Sequence, residues 1–145
     1  MRDPNKIFRD AVKSSLDGVL FFELSQVQVY DEKAEEGNNM TYVILSTQTS
    51  AQEPNFSGFG HQCSLLLDIV CKQYDMMNKE AVDDVSNQIL TILFPSVTTN
   101  GLTIQSGFQI NCLTVESVNY VPLRLANAKS IIRKLIRLTA KISQS

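Results

Sequence analysis

The 145-residue chain holds one histidine, no tryptophan and three cysteines, and after Glu116 it has no acidic residue. Two ligands can start a zinc site, but four are usual, and Cys71 and Cys112 could join His61 and Cys63 only through a chance of strand pairing. His61 falls two residues before Cys63, so both would leave the same face of a strand, but no Cys-x-x-Cys or second histidine follows. A catalytic thiol sits at an exposed, electropositive helix start, whereas Cys63, Cys71 and Cys112 lie in apolar, strand-like runs. They read as small buried hydrophobes, and their odd number implies no disulfide framework. Phosphate-cradling loops are missing too: Ser57-Gly-Phe-Gly60 lacks the spacing and the following lysine. The acid pairs Glu35-Glu36 and Asp83-Asp84 are neighbours in solvated contexts, and acid–base work needs carboxylates in contrasting environments. No apolar run approaches the roughly 18 residues that cross a bilayer. The first six residues lack the apolar core of a signal peptide, so synthesis and retention in the cytoplasm are expected. The expectation is no enzyme, no metal, no cofactor and no membrane partner.

What is present is an ordinary core. Hydrophobic residues make up 43% and charged residues 19%, in a chain the size of one domain. The charge is split: seven basic against fifteen acidic residues up to Glu116, then six basic residues and no acid. Such asymmetry marks an interaction element. The most regular stretch is 61–72, where Cys63, Leu65, Leu67, Ile69 and Cys71 alternate with a mixed set, Gln62, Ser64, Leu66, Asp68, Val70 and Lys72. That is a long strand with one fully buried face, and the mixed face suits a neighbouring subunit or a channel wall.

Around it the chain reads as helix, three strands, helix, strand, helix. Asp3-Pro4 opens an amphipathic helix to about Asp17, and Gly18 ends it. Leu20 to Phe22 is read as a hydrophobic connection tucked under the sheet. Strands follow at 26–30 and 40–47, separated by the acidic loop 31–39. Residues 49–60 are read as a long loop, whose Phe56 and Phe59 either insert into a partner or fold back on the core. A helix spans 79–94 up to Pro95, and a strand spans 108–121 up to Pro122. Last comes a helix over 126–143, with Lys129, Arg133, Arg137 and Lys141 repeating every four residues on one face. The fold class is α+β: a mainly antiparallel sheet of about four strands, amphipathic helices on one face, order α-β-β-β-α-β, plus the C-terminal helix. Residues 1–122 form the core domain, and 123–145 the basic extension. That extension is a solvated docking helix, an anion-binding element without aromatics, or a clasp on a neighbouring copy.

The helix 4–16, the motif Val27-Gln-Val-Tyr-Asp31, an acidic loop and Thr41-Tyr-Val-Ile-Leu-Ser-Thr-Gln48 stand in order before the strand 61–72, the helix 79–94 and the strand 108–120. This arrangement resembles the tail-completion, tail-terminator and neck-ring proteins of tailed bacteriophages. The resemblance implies a non-enzymatic virion protein at the head–tail junction or tail-tube end. It implies a homo-oligomeric ring, sixfold or twelvefold, touching neck, portal-side or tail-tube proteins, through which genomic DNA passes without tight binding. The candidate contacts are then Phe56, Phe59, Lys129, Arg133, Arg137 and Lys141, with the basic face turned away from the channel. A different class of function stays open: a small cytoplasmic nucleic-acid-binding or regulatory module using the basic C-terminal helix.

Overall fold

A computed structural model describes residues 1–31, 41–53, 58–73, 79–124 and 130–144. Helix α1 is Asn5–Leu16, and Asp3 Oδ1 accepts the Asn5 amide at 2.9 Å to cap its first turn. Phe8, Ala11, Val12 and Leu16 fall on one face at helical spacing and are buried. A small sheet of β1 (Phe21–Phe22) and β2 (Ser25–Gln26) follows, then β3 (Gln28–Asp31), β4 (Thr41–Glu53) and β5 (Phe59–Gln73). Helix α2 (Glu80–Leu93) buries Val82, Val85, Ile89 and Leu93. Past its end the Gly101 amide donates to the Leu93 carbonyl at 2.8 Å. A Cβ at Gly101 would stand 1.9 Å from the Ile92 oxygen, so only glycine fits there. Strands β6 (Phe108–Arg124) and β7 (Ser130–Gln144) complete the chain.

The short β3 and the four long strands form one sheet in the order β3-β4-β5-β7-β6, antiparallel at every junction but β3–β4. The α+β, mainly antiparallel character agrees with the sequence reading, but several details differ. The expected C-terminal helix is strand β7, so the sheet has five strands rather than about four. Basic residues four apart share a face in a helix and in a strand alike, so that signal does not discriminate. Ile131, Ile132, Ile136, Thr139 and Ile142 are β-branched and stiff, which favours the extended form. Two waiting partners then decide: β7 fills the gap between β5 and β6 over its full length.

Most of the expected loop 49–60 is also strand, since β4 runs to Glu53 and β5 starts at Phe59. A bulge between Leu45 and Gln48 shifts the alternation of β4 by one, which breaks its pattern in the sequence. Pro122 does not stop β6 but sits within it, opposite Ile132, where an edge strand has no outer partner needing its amide. Strands β3 and β4 are parallel, not antiparallel. Phe21 is half exposed in the β1–β2 hairpin rather than tucked under the sheet. Of the acidic loop 31–39, only Asp31 is described, at the end of β3.

Candidate interaction surface

Alternate side chains give the sheet two unlike faces. One carries Val43, Leu45, Cys63, Leu65, Leu67, Ile69, Ile132, Ile136, Leu138 and Ala140, which form a single core with α1 and α2. The other carries Tyr30, Tyr42, Ile44, Leu66, Asp68, Val70, Lys72, Arg133, Leu135, Arg137 and Lys141, and no described helix lies over it. Tyr30 and Tyr42 meet edge to face at 6.0 Å, and Lys72 Nζ stands 5.5 Å over the Tyr42 ring.

Neighbouring residues of β7 each seat an ion pair, one on either face, and Arg9 of α1 pairs with Asp31 on the helix face as well. On the open face Arg133 Nε donates to both oxygens of Asp68, at 3.1 and 3.2 Å, and covers a carboxylate only 6% exposed. The hydrogen bond to Asp68 raises the Arg133 pKa against the burial that opposes its charge. On the helix face Lys134 Nζ donates to Asp83 Oδ1 of α2 at 2.8 Å, and the Tyr120 hydroxyl donates to the same oxygen. Lys79 and Lys134 also lie over the Tyr120 ring at 4.3 and 4.9 Å. The bonds from Lys134 and Tyr120 hold the Asp83 carboxyl below its ordinary range. Burial opposes the charge on Lys134, but its bonds to Asp83 and Tyr120 outweigh that and raise its pKa.

The expected contact residues are only partly brought together. Arg133, Arg137 and Lys141 do form a row on the open face, joined there by Lys72. Arg133 is engaged by Asp68, whereas Arg137 and Lys141 have no carboxylate partner among the described residues. Phe59 opens β5 at 42% exposure, on the far end of the same strand as Lys72. Phe56 and Lys129 lie outside the described residues.

His61 and Cys63 share the helix face, as their spacing requires, and both are buried. Burial first, and the charge of Asp3 second, push the Cys63 thiol up to about 11, so it is protonated and inert at neutral pH. Among the described residues no group of three or more His, Cys, Asp and Glu could hold a metal ion, and no described helix is long and apolar enough to cross a membrane.

Sequence reasoning missed a second surface, around the hairpin. Its two central residues, Glu23 and Leu24, have φ of 49° and 67°, and Leu24 projects wholly exposed. No glycine or asparagine marks that turn, so the sequence offered no signal for it. Val19 and Phe21 are half exposed beside it, and Gln88 of α2 ties the hairpin down through both backbone groups of Phe21, at 3.0 and 2.7 Å.

No family model and no curated protein matches the chain. Among solved structures, it is similar to a chain in one described as the virion of a native gene transfer agent particle. The likeness has a TM-score of 0.67 at 17% identity, over 94% of this chain and 96% of that one. At that identity the two share a fold, with nearly every element included.

Proposed function

We propose that this chain is a virion structural protein of a phage-like particle, without catalytic residues. It assembles as a homo-oligomeric ring, sixfold or twelvefold, at the head–tail junction or the end of the tail tube. Its neighbours are neck, portal-side or tail-tube proteins, and DNA passes through the ring. The observation that carries this reading is the near end-to-end fold likeness to a chain of a gene transfer agent virion. The surface agrees with it. The sheet has two edges and one face that nothing described covers, as a subunit that finishes itself against its neighbours requires.

A channel that passes DNA should not grip phosphates, because each cation–phosphate contact adds salt-dependent affinity. The basic row therefore faces a protein neighbour rather than the lumen. The rival reading, a nucleic-acid-binding module, loses the free basic helix on which it depended: the segment is an interior strand, and Arg133 is committed to Asp68.

Negative-stain imaging and mass measurement of the purified protein test the proposal. Closed rings of one discrete mass are expected, alone or on addition of the particle's tail tube or neck, with weak DNA binding at physiological salt. A chain that stays monomeric in both settings overturns it, as would tight, strongly salt-dependent DNA binding.

A further inference from the structure

Resting on the ring reading, we infer which two surfaces meet: the β1–β2 hairpin with the outer side of α2 on one copy docks onto the open sheet face of the next.

The hairpin supplies the apolar part. A left-handed backbone at a non-glycine residue is strained, and here it occurs at two consecutive residues, holding a leucine fully in solvent. Val19 and Phe21 add half-exposed apolar area to the same spot. Gln88 fastens the hairpin to α2 and also donates to Asp84 Oδ2 at 3.0 Å, so hairpin and helix present one preorganised surface. Where it adjoins the hairpin the charge of that surface is negative, because Glu23 at the turn and Asp84 are exposed while Asn87, Gln88 and Thr91 beside them carry no charge.

The open sheet face has the complementary properties. Its central carboxylate, Asp68, is neutralised by Arg133, and the cations Lys72, Arg137 and Lys141 outnumber the two further acids on this face, Glu116, which accepts from Thr139, and Glu53 at the end of β4. Half-buried Leu66 and Leu135 lie between them as an apolar floor. An acidic surface with apolar projections thus meets a basic one with an apolar floor, and opposite charges fix the register. The two surfaces differ, so the contact is heterologous and repeats from copy to copy until a ring closes. Neither surface is completed by its own copy.

Two variants test this in solution by mass measurement and negative stain. Leu24→Asp disables the hairpin surface, and Arg137→Glu with Lys141→Glu disables the sheet surface. Both change solvent-facing side chains, and circular dichroism should match the wild type. Each variant alone should lose ring assembly and run as a monomer. Mixed one to one, they should form a discrete dimer and go no further, because one intact surface of each kind remains. A variant that still assembles like the wild type overturns the assignment while leaving the ring reading intact, and so does a mixture that stays monomeric. A wild-type chain that never assembles overturns the ring reading and this inference with it.

Discussion

Consecutive residues of β7 separate two environments. Lys134 points under α2 and Arg133 points to the open face, and each meets one aspartate. On the helix side that ion pair lies at the margin of a mainly apolar core, whose buried polar members His61, Ser86 and Gln144 are uncharged imidazole, hydroxyl and amide groups. On the open side polar and apolar residues alternate across the strands, and the ion pair lies at the centre. A face that is finished within its own chain excludes charge from its middle, whereas this one keeps charge there and screens it internally. The lesson is that the open face is built to be covered, but by something that also brings polar partners.

The comparison can be broken first on β5. Leu67→Ala, on the fully buried side, should cost about 2–5 kcal/mol in urea denaturation, because it leaves a cavity. Leu66→Ala, its neighbour on the open face, should cost only about 1 kcal/mol in the monomer. Equal losses would mean that the two faces are packed alike. The ion pairs sharpen the contrast. Asp83→Ala should cost about 1–3 kcal/mol, since Lys134 is only 10% exposed and would be left without its partner. Asp68→Ala should cost less in the monomer, because Arg133 is 42% exposed and can turn to water.

Acid should act on the helix side in particular. The folded pKa of Asp83 lies below its unfolded value, so its contribution is complete above the ordinary carboxylate pKa of about 3.9 and disappears as pH falls through the folded value. Lys134 has the opposite sign: its contribution is complete below about pH 10.4 and is lost as pH climbs through its raised value. The stability gap between wild type and Asp83→Asn, measured by denaturant midpoints, should therefore close at both extremes. A gap unchanged between pH 7 and pH 3 would separate Asp83 from the acid response. The smallest effect is a gain. Leu24→Gly should stabilise the monomer by about 0.5–1 kcal/mol by relieving the positive φ, while weakening assembly. A thermal midpoint that does not rise would remove strain as the reason for the turn's exposed leucine.

Elements whose pattern is decided locally were legible. The stripes of α1 and α2, the alternation of β5 and the stop at Pro95 depend on neighbours in the chain. The elements misread depend on distant partners. Residues 130–144 fit a helical stripe through Ile131, Leu135 and Leu138, yet Ile131 and Leu135 lie on one face of β7 and Leu138 on the other. Only β5 and β6 on its flanks decide between those forms. The bulge at Ser46-Thr47 hid the second half of β4 in the same way, because parity changes where no glycine or proline warns of it. For the surface, the row Arg133–Arg137–Lys141 was legible as a basic face, whereas its partner Asp68 and the hairpin at Leu24 were not. Pairing across strands and the hand of a turn have no marker in this sequence.

The place of β7 between β5 and β6 has a consequence for how the chain acquires its structure. It follows both of its sheet neighbours in sequence, and its Gln144 reaches back to Arg2, whose amide donates to it at 2.8 Å. During synthesis β5 and β6 emerge before the strand that joins them, each with an open flank, and must wait on the ribosome without their common partner. Pairing so distant in sequence is slow, and the waiting edges are sticky. A chain stopped after Arg124 would therefore accumulate in inclusion bodies rather than as a shortened subunit. Soluble subunits should appear in a pulse-labelling experiment only once β7 has been made.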